Sequence, residues 1–188
     1  MTTHYIDIRV LPDPEFAESM LMGALYTKLH RALVQRAAGD IGVSFPHYSR
    51  IPRAIGPVLR LHGSAAALDA LMGSNWLAGM RDHVRLSPMQ AAPADAKHCT
   101  VQRRQFKTSA ERLRRRRIKR KGETADQAAA AIPDDIERKP DLPFVHIRSS
   151  STGQSFQLFV KVSAPTSQAV GGTFNTYGLS ATATVPWF

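Results

Sequence analysis

Nineteen consecutive residues, Arg103 to Lys121, hold eleven lysines and arginines and a single acid, Glu111. Such a segment cannot enter a core, because unpaired charges are too costly to desolvate, so the chain must fold around it and leave it at the surface. The rest of the sequence carries fourteen basic and fourteen acidic residues, and the formal net charge of +10 therefore resides in this one window. Crowded like charges repel and weaken the compact state. A polyanion that neutralises them removes that cost and releases its own counterions. Nucleic acid is the leading partner on this ground. A solvated charge run, a localisation patch and a membrane-surface helix are the other readings. The last needs a broad apolar face, and between Ser109 and Lys121 only Leu113 and Ile118 are large and apolar.

Thr108 and Glu111 have the spacing of a capping box, so a helix is expected from about Ser109 to Lys121, with Gly122 placed to end it. At about 100° per residue, Arg112, Arg115, Arg116, Lys119 and Arg120 form one contiguous face roughly 140° wide, and Arg114, Arg117 and Lys121 fall behind it. A stripe of this shape fits between two phosphate backbones, where the planar guanidinium bonds phosphate or guanine through two N–H groups at once. The major groove of long A-form RNA is too deep and narrow for side chains to read. A short hairpin with an open end relaxes that limit. Upstream, Arg103 and Gln105 lie two apart on an extended segment and so share a face. Arginine is matched to guanine and glutamine to adenine.

The remainder reads as a globular body, with 43% apolar residues and one cysteine, Cys99, which excludes an internal disulfide framework. There is no zinc-ligand spacing, no apolar run long enough to span a membrane and no secretory pattern in the first sixteen residues. A reducing, cytoplasmic setting is expected. His4 to Val10 alternates as a half-buried strand. Leu21, Met22, Leu25, Leu29, Ala32 and Leu33 recur at helical spacing between Glu15 and Ala38, where Gly39-Asp40 is expected to stop the helix. Strands follow at Ile41–Phe45 and Val58–His62, around a loop with three prolines. Ser64 caps a second helix carrying Leu68, Leu71 and Met72, and a fourth strand spans His83–Leu86. The order β-α-β-β-α-β is that of a ferredoxin-like fold, without the aromatic signature of its common RNA-binding version. The fold class expected is α+β: a ferredoxin-like domain over residues 1–95, a small-residue linker at Pro88–Ala96, and a C-terminal α+β region over 96–188 that holds the arginine-rich helix, an Ala-rich helix at Thr124–Ile132, and strands at Phe144–Ser149 and Phe156–Val162.

Read by spacing alone, individual residues stay ambiguous. His30 lies off the apolar stripe of its helix, as many exposed histidines do, and Tyr26 one turn earlier is equally a packing neighbour. The Ser149–Gly153 cluster reads as a turn. Phe156 opens an apolar strand with Leu158 and Val160 and reads as core. No pair of acids suggests glycosidase or two-metal chemistry.

HYIDIR (4–9), PDPEF (12–16), KLH (28–30), IGVSFP (41–46), ERLRRR (111–116), LPFV (142–145), the block from Arg148 to Phe156, YGLS (177–180) and VPWF (185–188) together resemble the CRISPR-associated endoribonuclease of the type I-F system, from end to end. The resemblance implies a ferredoxin-like domain plus a part with the arginine-rich helix. It implies cleavage of the CRISPR repeat RNA stem-loop at the 3′ base of its stem, with no metal or other cofactor. The ribose 2′-hydroxyl attacks the adjacent phosphate and leaves a 2′,3′-cyclic phosphate and a 5′-hydroxyl. The enzyme is then expected to keep its product and join the other protein subunits of the type I-F surveillance complex, meeting target DNA only through that complex. Residue by residue, His30 matches the catalytic histidine, Ser149 the serine that positions the 2′-hydroxyl, and Tyr177 a tyrosine beside the site. Ser151 and Thr152 match residues near the scissile phosphate, and Phe156 the aromatic that stacks on the closing base pair. Arg103 and Gln105 match two base readers at the foot of the stem. Arg115, Arg116, Lys119 and Arg120 match the cations of the groove helix, to which the face geometry adds Arg112. Lys119 stands where arginine is familiar, which favours a point-charge contact there, and Arg117 adds a cation outside the usual face. A non-catalytic hairpin-binding subunit and a general basic RNA- or DNA-binding protein are the rival readings.

Overall fold

The computed structural model describes residues 2–105, 110–134, 141–148 and 153–188. Strand β1 (His4–Val10) buries Ile6, Ile8 and Val10 on one side and turns Tyr5, Asp7 and Arg9 to the other, as its alternation requires. Helix α1 (Glu18–Arg36) lays Leu21, Leu25, Leu29, Ala32 and Leu33 into the core. It starts three residues later than expected. It ends not at Gly39-Asp40 but at Ala37, which takes the left-handed conformation (φ 52°) and donates its N–H to Leu33 O.

Strands β2 (Gly42–Ser44), β3 (Ser49–Arg50), β4 (Arg53–Ala54) and β5 (Val58–Gly63) follow, so the proline loop carries a small β3–β4 hairpin that spacing did not reveal. Ser64 accepts the Ala67 N–H at 3.1 Å and caps α2 (Ala65–Gly73), as expected. Next come β6 (Val84–Leu86) and β7 (Gln90–Ala91). The main sheet runs β2-β5-β1-β6, antiparallel throughout, and β7 pairs with the first part of β1. Part of the expected linker is therefore sheet.

The later strands are β8 (Lys97–Cys99), β9 (Val101–Arg104), β10 (Phe144–Arg148), β11 (Ser155–Val162) and β12 (Val185–Trp187). They form a β10-β11-β9 sheet and a β12-β8 pair. Helix α1 approaches β10 through Gly23. A Cβ at that position would lie 2.3 Å from His146 O, so only glycine admits the contact.

Helices α3 (Ala110–Lys121) and α4 (Ala125–Ala131) complete the described elements. The whole is a mixed α+β protein, with four α-helices and antiparallel sheets among the described residues. Its contacts divide it into two units, Met1–Arg104 with Leu142–Phe188, and Gln105–Asp141. The sequence expectation divides the chain after residue 95. In the structure residues 97–104 and 142–188 group with the N-terminal elements, because β9 pairs with β11 and β10 packs on α1.

In the smaller unit, Gly122 (φ +66°) ends α3 by donating to Ile118 O. Thr124 and Gln127 form a full capping box on α4. The capping residue expected for α3, Thr108, lies outside the described residues.

Candidate active site

Two segments far apart in sequence meet at His30. One is the last half of α1, whose buried face is fixed by Leu25 and Leu29 and which leaves His30 half-buried at its margin. The other is the turn Asn175–Leu179. That turn closes through Gly178 N–H to Asn175 O at 2.8 Å and Asn175 N–H to Leu179 O at 2.9 Å. Gly178 has φ +69°, and a Cβ there would stand 2.4 Å from Val43 Cγ2. Val43 N–H donates to Gly178 O at 2.8 Å, which staples the turn to β2. The glycine is thus required twice, by its backbone angle and by this approach.

His30 Nδ1 lies 2.8 Å from the Thr176 carbonyl oxygen. A carbonyl only accepts, so Nδ1 carries the proton, and in the neutral ring the lone pair is on Nε2. Among the described residues nothing hydrogen-bonds Nε2. The Tyr177 ring stacks on the imidazole, with centroids 4.0 Å apart and planes within 4°. Below, Tyr26 donates its hydroxyl to Tyr177 O at 2.7 Å. Burial pushes the Tyr26 phenol far above its ordinary range, so it remains a donor at any working pH. Sequence reading leaves Tyr26 as a packing neighbour. Its hydroxyl partner lies 151 residues away and no spacing could have shown it.

Arg103, on β9, holds its guanidinium 5.1 Å from the Tyr177 ring centroid and 5.5 Å from that of Phe156. Both are cation–π distances. Phe156, on β11, is half-buried and packs against the core edge, intermediate between the two expectations for it. The structure thus brings His30, Tyr177, Arg103 and Phe156 together. An open groove of about 340 Å³ runs past Arg103, its lining including Asn175 and Ser180. Ser149, Ser151 and Thr152 lie outside the described residues. Gln105 is exposed at the start of the smaller unit. Among the described residues no three His, Cys, Asp or Glu side chains converge as metal ligands, and no helix is long and apolar enough to cross a membrane.

On α3 the cations sort into two sets. Arg112, Arg115, Arg116, Lys119 and Arg120 are all exposed, as is Lys121. Arg114 and Arg117 are half-buried and paired within their unit. Arg114 donates to Ile132 O at 2.8 Å and to Asp134 at 2.8 Å, and Arg117 bonds Glu123. Arg115 also pairs with Glu111 at 2.9 Å across one exposed turn, a contact of small worth.

These features define an α+β protein with an aromatic-backed histidine site and, in a separate unit, a helix with one cationic face. The chain matches the model of the CRISPR-associated protein (Cas_Csy4) family over residues 5–188 and belongs to that family. It is 47% identical over 185 residues to the CRISPR-associated endonuclease Cas6/Csy4 of Escherichia coli (strain UTI89 / UPEC), covering 98% of this chain and 99% of the relative. It is 44% identical over 185 residues to the protein of the same name in Pseudomonas aeruginosa (strain UCBPP-PA14), with the same coverage.

Proposed function

We propose that this protein is a metal-independent endoribonuclease that cuts CRISPR repeat hairpins at the 3′ base of the stem and keeps the product. The observation that carries the reading is the His30 imidazole, with Nδ1 committed to Thr176 O, its face covered by Tyr177, and Nε2 left to accept a proton. Nε2 removes the proton of the ribose 2′-hydroxyl. That oxygen forms a bond to the adjacent phosphorus as the bond to the 5′-oxygen breaks. The leaving oxygen takes up a proton and becomes a 5′-hydroxyl, and the upstream strand ends in a 2′,3′-cyclic phosphate. A base whose ordinary pKa is near neutrality suits this step. The endonuclease names of the two relatives support the same reading.

The remaining assignments follow from the family likeness and the chemistry of the side chains. Ser149 positions the attacking hydroxyl, and Ser151 and Thr152 contact the scissile phosphate. Phe156 stacks on the closing base pair, while Arg103 and Gln105 read bases at the stem's foot. Arg112, Arg115, Arg116, Lys119 and Arg120 follow the phosphates of the groove, and their shared exposure supports that role. Residues 96–188 supply most of these RNA contacts, and the N-terminal region supplies His30. The sheet order β2-β5-β1-β6, with α1 after β1 and α2 after β5, supports a ferredoxin-like N-terminal domain. Residence in the cytoplasm and in the type I-F surveillance complex, with target DNA met only through that complex, belongs to the same proposal.

The test is His30→Ala, assayed for cleavage and for binding of the repeat hairpin. Binding within a few-fold of wild type with cleavage lost is expected. Cleavage that persists in the variant contradicts the assignment. A wild-type protein that binds tightly and never cuts establishes the non-catalytic subunit instead.

A further inference from the structure

Both contacts that orient His30 come from one short turn: the Thr176 carbonyl at Nδ1 and the Tyr177 ring on its face. One side chain organises that turn. Asn175 Oδ1 accepts the N–H of Tyr177 at 2.8 Å and the N–H of Leu179 at 3.2 Å. The main chain of the same residue donates to Leu179 O and accepts from Gly178 N–H. Four hydrogen bonds therefore centre on Asn175, two of them to the backbone of the buried Leu179. The residue is exposed, so loss of its side chain opens no cavity in the core. An aspartate or asparagine that bonds the amide two residues on is the known device for fixing such a turn.

We propose that Asn175 is a positioning residue for the His30 base, acting through the Thr176 carbonyl and the Tyr177 ring. This rests on the catalytic reading of His30 given above. Without the Oδ1 acceptor, the amides of Tyr177 and Leu179 turn to water, which is available at this exposed site. The turn then samples other conformations, and the carbonyl no longer holds the proton on Nδ1 for the whole of the time. The fraction of protein with Nε2 correctly presented falls, and the chemical step slows with it. RNA affinity rests chiefly on the exposed cations of α3 and changes far less. The requirement is for an acceptor alone, since both bonds run from backbone N–H groups to Oδ1. Aspartate supplies the same acceptor geometry and alanine none.

The experiment compares wild type, Asn175→Ala and Asn175→Asp in single-turnover cleavage of the repeat hairpin, with hairpin affinity and thermal melting measured on the same preparations. Asn175→Ala should cut at least tenfold more slowly, with affinity within about twofold. Asn175→Asp should recover most of the rate. Asn175→Ser, which keeps a shorter acceptor, should fall between, and it serves as the comparison if the alanine variant melts too low to assay. A wild-type rate in the alanine variant, or a loss that aspartate does not restore, overturns the inference. His30→Ala, run in parallel, separates the two failures. If it still cuts, the catalytic reading itself is wrong. If it does not cut and Asn175→Ala is unimpaired, only the positioning role falls.

Discussion

At the scale of single residues, the protein spends its backbone constraints at the turn facing His30. Gly178 is held at φ +69° with Val43 against it. Gly178→Ala forces either left-handed strain or displacement of β2, a destabilisation of about 1–3 kcal/mol. A melting curve should show that loss, and the cleavage rate should fall with it because Tyr177 and Thr176 move. A variant with wild-type melting and rate would show that the turn is not under this constraint. The importance of His30 was not legible from its helix. Its partners are 146 and 147 positions away, and only whole-chain resemblance singled it out. Phe156 shows the opposite limit. The alternation of β11 correctly put it on the apolar face, but whether its ring is covered depends on the neighbouring β9, which places Arg103 against it.

At the scale of elements, α3 is the clearest case of sequence dictating structure. Its face and its two sets of cations follow from a period of 3.6, and its end from Gly122. What spacing could not supply was the fate of the rear arginines, because Glu123 reaches Arg117 only through the turn after Gly122, and Ile132 and Asp134 reach Arg114 only once α4 has folded back. This division predicts different responses to salt. Replacing Arg115, Arg116 and Arg120 by glutamine should reduce the slope of log affinity against log salt for hairpin RNA by about 0.7–0.9 per charge removed. Arg114→Gln and Arg117→Gln should change that slope by less than half as much per charge and instead lower the helicity of the unit. Equal slopes for the two sets, measured by titration at several salt concentrations, would contradict the assignment of the exposed face to RNA. The two-residue strands of the β3–β4 hairpin and β7 carry no periodicity, and the three residues of β12 carry too little to mark a strand.

At the scale of the whole molecule, β1, α1, β2, β5, α2 and β6 are readable from alternating and helical periods, while β3, β4 and β7 between and after them are not. The return of residues 142–188 to the same unit is not readable either, since it depends on strand pairings across a long insertion. The larger unit also buries a histidine outside the proposed site. His62 is fully buried on β5, with Nε2 2.7 Å from Ser44 Oγ, and burial, with Arg60 and His98 nearby, pushes its pKa down to about 3. Below about pH 6.5 the unfolded chain takes up a proton here that the native protein refuses, so stability is complete above that pH and drains away as pH falls toward 3, at up to about 1.4 kcal/mol per pH unit. Melting temperatures should drop between pH 6.5 and 4.5, and His62→Gln should flatten that drop. An unchanged profile in the variant would remove His62 as its source. The central claim is that this protein cleaves RNA through the ribose hydroxyl itself, and the most direct measurement is the mass of the products when a repeat hairpin is incubated with it in EDTA. Cutting at the 3′ base of the stem, with a 2′,3′-cyclic phosphate upstream, a 5′-hydroxyl downstream and no cutting when the 2′-hydroxyl at the break is replaced by hydrogen, is the predicted result. A requirement for added magnesium, a 5′-phosphate on the downstream strand, or scission of the 2′-deoxy hairpin would contradict it.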